Sequence, residues 1–200
     1  MKRIGLLGGT FNPPHAGHLR LAELAWERLA LDELRFMPAA RSPLKAEGGP
    51  SPATREHLLK ALLQGRPWLI ERLELDRSGV SYTVDTLEAL ATREPGQAWI
   101  LLIGFDQAAD FAAWHRPERI WQLASIAVAG RPGQAETLAP DLQARRSPAW
   151  SGRPGELVLL PSTGLELSSS ALREQLGRGE TPDGLPPQVL AAILAENLYR

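Results

Sequence analysis

The sequence predicts an α/β fold: a Rossmann-like, doubly wound, mostly parallel sheet with helices on both faces. Three observations carry that expectation. Short apolar runs without internal periodicity recur along the chain, the pattern of strands buried on both faces. Segments with helical spacing alternate with those runs. Two of the runs stop in glycine-bearing turns, Gly8-Gly9 and Gly104-Phe105-Asp106, and sheets of this kind place ligands beyond their strand ends. A chain of 200 residues suits a single domain spanning residues 1–200.

Residues 3–7 form the first expected strand, and Gly8-Gly9 ends it. A helix over about 16–29 follows, with Leu21, Ala22, Ala25, Trp26 and Leu29 as its core-facing stripe. Residues 34–37 read as the second strand, and 38–52, rich in Pro, Gly and Ala, as a loop. A helix near 53–63 and a strand near 69–75 come next. Ser81-Tyr82-Thr83 opens a helix with Val84, Leu87, Leu90 and Ala91 on its apolar face. Residues 99–103 are the clearest strand after the first, followed by a helical stretch and a strand over 126–129. Residues 130–155 read as loop, 157–160 as the last strand, and helices near 169–176 and 187–197 close the chain. Trp26, Trp99 and Trp121 are expected in the core, and His57 and His115 as ordinary polar residues. Asp85 and Glu88 are expected on a solvated helix edge.

Composition narrows the function classes. An apolar fraction of 44% and a charged fraction of 22% are those of a globular protein. No cysteine is present, which removes disulfides, thiolate nucleophiles and cysteine-held zinc or iron–sulfur sites. No run approaches the ~18 apolar residues of a membrane span. The first apolar run ends at Gly8-Gly9 before a signal-peptide core could form, so a cytoplasmic location is expected. A formal net charge of −1 argues against broad binding of nucleic acid or acidic membrane.

The first turn, Gly8-Gly9-Thr10-Phe11-Asn12-Pro13-Pro14-His15-Ala16-Gly17-His18, carries the most chemistry. Gly8 and Gly9 let the backbone approach a ligand, and Pro13-Pro14 keeps the segment extended before the helix. His15 and His18, three apart, share one helix face. The helix start would add unpaired N–H donors and a positive dipole end. Together these describe a site for phosphate oxygens. A two-histidine metal pair is the alternative, but His57 and His115 are the only other imidazoles. Ser168-Ser169-Ser170-Ala171-Leu172-Arg173 has two readings: serines capping a helix, or hydroxyls and a guanidinium gripping phosphate.

Taken together, GGTFNPPHAGH and SSSALR resemble the HxGH nucleotidyltransferase superfamily, and within it the bacterial nicotinate-nucleotide adenylyltransferases. The likeness runs over nearly the whole chain. It takes in Ser81-Tyr82-Thr83, Ile103-Gly104-Phe105-Asp106, Phe111-Ala112-Ala113-Trp114, Arg131-Pro132-Gly133 and Leu198-Tyr199-Arg200. The resemblance implies transfer of the adenylyl group of ATP to nicotinate mononucleotide, giving nicotinate adenine dinucleotide and pyrophosphate, with Mg2+ accompanying ATP. Nicotinamide mononucleotide or another phosphorylated acceptor is the alternative substrate. A nucleotide-binding regulator without catalysis, and a hydrolase with a metal on the two histidines, are rivals from other classes.

The resemblance also implies roles. His15, His18 and Arg173 would be catalytic, holding ATP phosphates with Ser168 and Ser170. Gly8, Gly9, Thr10 and Phe11 would thread between the substrates, and Gly104 and Asp106 would meet the adenosine ribose. Lys45, Thr83 and Trp114 would receive the acceptor, and no residue is assigned as a metal ligand. Expected partners are ATP and nicotinate mononucleotide, with no nucleic acid and no membrane, and with room for a homo-oligomer. Three positions depart from the family pattern: Asn12 replaces a usual aspartate, Leu44 a usual histidine and Ser170 a usual threonine.

Overall fold

The computed structural model describes residues 1–41, 49–130 and 138–200. Strands β1 (Arg3–Gly9), β2 (Glu33–Pro38), β3 (Leu69–Ile70), β4 (Ala98–Gly104), β5 (Ser125–Ala129) and β6 (Leu157–Leu160) form a six-stranded sheet. Its order is β3-β2-β1-β4-β5-β6 and every pairing is parallel. The helices are α1 (Ala16–Leu29), α2 (Pro52–Leu62), α3 (Leu73–Asp76), α4 (Thr83–Arg93) and α5 (Phe105–Ala109). A 3-10 turn (Phe111–Ala113) then leads to α6 (Pro117–Leu123), α7 (Pro140–Ala144), α8 (Ser169–Gly177) and α9 (Pro187–Ala195).

The period-2 alternation of each strand sends its side chains to two separate cores. Leu7, Leu34, Phe36, Ile100 and Leu102 face one side, where Ala22, Ala25, Leu58, Leu172 and Val189 of α1, α2, α8 and α9 cover them. Ile4, Leu6, Trp99, Leu101 and Ile126 face the other, against Val84, Leu87 and Leu90 of α4 and Ile120 and Trp121 of α6. Burial on both faces explains why these strands read as continuous apolar runs. Trp99 and Trp121 are buried as expected, whereas Trp26 is only partly buried at the core's margin.

Two expected elements need correction. The strand expected over 69–75 shrinks to β3, two residues long, and Leu73–Asp76 is helical. The reason is Glu71: its N–H donates to the Phe36 carbonyl at 2.8 Å, but its buried carboxylate accepts the Leu73 N–H at 3.2 Å and turns the chain. The expected loop over 130–155 contains α7, which Pro140 starts at its first helical position. Arg146 also bridges to Leu157 beside β6. The motif Arg131-Pro132-Gly133 lies outside the described residues.

Behind the sheet's β2 edge sits an ionic network. Arg35, 8% exposed, reaches Glu71 at 3.1 Å and Glu94 at 2.7 Å and also pairs with Glu33. Arg93 pairs with Glu71 and Glu94, so the network ties β2 to α4. The Arg35 hydrogen bond holds the Glu94 carboxyl down at about 2, against desolvation and with help from Arg93. A carboxylate with a depressed folded pKa contributes stability above its unfolded pKa and loses it as pH falls. We therefore expect conformational stability to fall as pH drops from about 4.5 toward 2. Glu94→Gln is expected to cost roughly 1–3 kcal/mol at neutral pH and to flatten that acid slope. Urea unfolding at pH 7 and at several acid pH values checks both.

Candidate active site

Strand order reverses between β1 and β4, which run side by side with Leu7 opposite Leu102. Their carboxyl ends carry the two glycine-bearing turns, so these turns lie together at the mouth of a cleft of about 770 Å³, in the usual size range for small-molecule sites. Gly8, Gly9, Thr10, Phe11, His15 and His18 line it from one side. Gly104, Asp106, Thr83 and Trp114 line it from the other, and Ser168 and Ser170 from a third. Lys45 and Leu44 lie outside the described residues. A Cβ on Gly8 would meet Met37 at 3.3 Å, and one on Gly104 would meet an Asp106 carboxylate oxygen at 2.5 Å. Glycine at 104 is what lets that carboxylate fold back over the strand end.

The two histidines form a reciprocal cap at the start of α1. The Gly17 N–H donates to His15 Nδ1 at 3.1 Å, and the His15 N–H donates to His18 Nδ1 at 3.1 Å. Their rings stack with centroids 3.8 Å apart. An imidazole that accepts a main-chain proton at Nδ1 must, when neutral, carry its own proton at Nε2. Both rings are thus set as Nε2–H donors on the cleft wall, with the tautomer fixed by the backbone. Gly17 is part of the device, because a Cβ there would sit 3.0 Å from two atoms of the His15 ring.

One expectation about this turn is overturned. The start of α1 was expected to offer unpaired N–H groups, yet its first three are used internally. Ala16 N–H donates to the Gly184 carbonyl at 3.0 Å, Gly17 to the His15 ring, and His18 to the His15 carbonyl at 3.0 Å. What this helix start presents to the cleft is therefore its two imidazoles, with the helix dipole behind them.

At α8 the capping reading of the serine run holds for Ser168, and the neighbouring residues take other partners. Ser168 caps the helix by accepting the Ala171 N–H at 3.2 Å. Ser169, which motif reasoning passed over, donates to the Pro13 carbonyl at 3.0 Å and ties α8 to the first turn. Arg173 donates to the Asn12 carbonyl at 2.8 Å and to Ser170 Oγ at 3.1 Å. Its guanidinium thus lies behind the turn rather than among the cleft-lining residues. The signal for Ser169 was its place in the motif, but a hydroxyl's partner 156 residues away is invisible in sequence.

The far end of the cleft is built by α4 and the segment after α5. Thr83 is the first residue of α4, whose N-cap, Tyr82, makes no side-chain cap bond. Among the described residues no acceptor takes the N–H groups of Thr83, Val84 or Asp85, so this helix start, unlike that of α1, keeps open donors. Trp114 packs on Phe111 with ring centroids 5.3 Å apart, and its buried Nε1–H has no partner among the described residues. His115, expected as an ordinary polar residue, stacks on Tyr82 with centroids 4.4 Å apart and lines the cleft. Glu74 was also missed: it is buried, lines the cleft and accepts the Thr86 hydroxyl at 3.0 Å. Burial pushes its carboxyl pKa up, opposed by its hydrogen bonds and by Arg77. Glu88 pairs with Arg116 and Arg119 on the helix edge where it was expected.

Comparison with known proteins places the fold and the family. A model of the cytidylyltransferase-like family matches residues 6–175. A Bordetella avium protein named probable nicotinate-nucleotide adenylyltransferase is 40% identical, over 100% of this chain and 99% of its own. One of the same name from Methylibium petroleiphilum is 36% identical over 100% and 91%. Among solved structures, the nicotinic acid mononucleotide adenylyltransferase of Plasmodium falciparum, complexed with NaAD, superposes with a TM-score of 0.81. That match covers 100% of this chain and 98% of the other at 17% identity, a likeness of fold. The chain is a nucleotidyltransferase of the cytidylyltransferase-like family and belongs with the nicotinate-nucleotide adenylyltransferases.

Proposed function

We propose that this enzyme transfers the adenylyl group of ATP to nicotinate mononucleotide, releasing pyrophosphate and forming nicotinate adenine dinucleotide. The observation that carries the reading is the pair of imidazoles whose Nδ1 atoms are occupied by backbone N–H groups. That arrangement makes two fixed Nε2–H donors for phosphate oxygens. The acceptor's own phosphate is the nucleophile and is already ionised near neutral pH, so the reaction needs alignment and charge neutralisation rather than a strong base. His15 and His18 then stabilise charge on the triphosphate, while Gly8 to Phe11 pass between the two substrates. Ser168 and Ser170 border the phosphates, Arg173 supports them from behind the turn, and Gly104 and Asp106 meet the ribose. Among the described residues no group of three or more His, Asp or Glu side chains is placed to hold a metal ion. In this reading magnesium accompanies ATP as its counter-ion.

The acid acceptor is favoured over the amide by the far end of the cleft. Open N–H groups at the start of α4, beside Thr83, suit a carboxylate, and the Trp114 indole offers an apolar wall for the pyridine ring. The names of the Bordetella and Methylibium relatives support the same acceptor.

Pyrophosphate release from ATP and magnesium, with nicotinate and nicotinamide mononucleotide offered in parallel, tests the assignment. We expect release with both at high concentration and a clear preference for the acid. No release with either would remove the reading, and a preference for the amide would reverse the acceptor. His18→Ala is expected to lower kcat by about 100-fold or more, the usual contribution of a transition-state donor. Gly17→Ala separates chemistry from folding: alanine is the better helix former, so the melting temperature should hold or rise. The displaced His15 ring should nevertheless lower kcat by about tenfold. Unchanged turnover in Gly17→Ala would mean that the ring's position does not matter.

A further inference from the structure

Arg55 on α2 is only 5% exposed. Among the described residues its hydrogen-bond partners are two main-chain carbonyls rather than a carboxylate: Thr10 at 2.6 Å and Ala40 at 2.9 Å. A buried cation held this way costs desolvation that no counter-ion repays, and burial accordingly pulls its pKa below the ordinary guanidinium value. It stays charged all the same. Its placement needs a reason other than stability.

The reason lies in the peptide it holds. Thr10–Phe11 is a trans unit, the Asn12–Pro13 bond being the cis one among the described residues, so its C=O and N–H point in opposite directions. Arg55 takes the carbonyl on the side away from the cleft. Thr10 and Phe11 line the cleft and Arg55 does not, so the Phe11 N–H faces inward. No acceptor takes that N–H among the described residues. Phe11 also has φ 48°, a left-handed conformation that a non-glycine residue keeps only when its surroundings impose it.

The next residue is pinned as well. Arg173 holds the Asn12 carbonyl, and the Tyr199 hydroxyl donates to Asn12 Oδ1 at 2.7 Å. Burial pushes the Tyr199 phenol up, with Arg173 and Arg55 pulling the other way, so it remains a protonated donor at neutral pH. Tyr199 itself sits at φ 65°, so the chain's end adopts an unfavourable conformation to reach the turn. Asn12 is uncharged and adds no negative charge to cancel either guanidinium.

We propose that Arg55 and Tyr199 are positioning residues of the transfer site: they lock residues 10–12 so that the Phe11 N–H is a fixed donor to a substrate phosphate oxygen. Neither residue touches the cleft. Both act through the backbone they hold. The inference rests on the adenylyl-transfer reading for its kinetic consequence and on geometry alone for the Phe11 amide.

The test uses Arg55→Lys, which keeps the charge and loses the two-carbonyl grip, and Tyr199→Phe, which loses only the hydroxyl. Each is compared with the unmodified enzyme by steady-state kinetics and by the 1H–15N signal of the Phe11 amide during titration with inorganic pyrophosphate. We expect the Phe11 signal to shift in the unmodified enzyme and to lose most of that shift in Arg55→Lys. kcat should fall about tenfold or more in Arg55→Lys and about three- to tenfold in Tyr199→Phe, with KM for the acceptor changed less than about threefold. A variant with a lower melting temperature but unchanged kcat per folded molecule and an unchanged Phe11 shift would overturn the proposal. So would an unmodified enzyme whose Phe11 amide ignores pyrophosphate. If Arg55→Lys fails to fold, Tyr199→Phe decides by the same two readouts. An unmodified enzyme that shows the Phe11 shift but no turnover would support the clamp and remove the adenylyl-transfer reading instead.

Discussion

β1 pairs in parallel with β2 on one side and with β4 on the other, and the rest of the site depends on that double pairing. The chain leaves β1 toward one face of the sheet and leaves β4 toward the other, so their carboxyl ends part and a crevice opens between them. Two turns more than ninety residues apart in sequence become the facing walls of one cleft. The register that sets Leu7 opposite Leu102 also decides that Gly8 and Gly9 look across at Gly104.

Within the cleft, the two helix starts have opposite hydrogen-bond states, and this divides the labour. The start of α1 is filled: its N–H groups go to Gly184, to the His15 ring and to the His15 carbonyl. The ring nitrogens that accept those protons are thereby committed, which turns the opposite edge of each imidazole into the donor. The start of α4 has no side-chain cap and keeps its amides open. In the proposed assignment the imidazoles meet phosphate and the open amides meet the acceptor's carboxylate. A soft, protonatable donor suits charge that moves during reaction. A fixed dipole suits charge that does not.

Buried charge follows the same economy. Around Arg35 the cations and carboxylates are matched, and the network joins β2 to α4 on the sheet's far side. Around the first turn, among the described residues, they are not matched. Arg55 donates to two main-chain carbonyls and Arg173 to a main-chain carbonyl and the Ser170 hydroxyl, which leaves positive potential behind the turn proposed to receive polyphosphate. An ion pair there would stabilise the empty fold and weaken the site's attraction for its substrate. The contrast between the two clusters is in keeping with the proposed positioning role of Arg55.

Most of the fold was legible in the sequence because the strands other than β3 are buried on both faces and each long helix on one. Those demands write themselves locally as unbroken apolar runs and as stripes such as Leu21, Ala22, Ala25 and Leu29. The first turn was legible for a similar reason: His15, Gly17 and His18 complete their cap within four residues. What the sequence could not contain is any contact whose partner lies far along the chain. Glu71 pairing with Arg35, Ser169 reaching the Pro13 carbonyl, Arg173 sitting behind the turn, and Glu74 and His115 entering the cleft all needed the sheet to be assembled first. Local residues determined what side-chain chemistry the turn carries; only the tertiary structure decided which residues line the cleft, because side-chain direction is set by neighbours that sequence order does not place together.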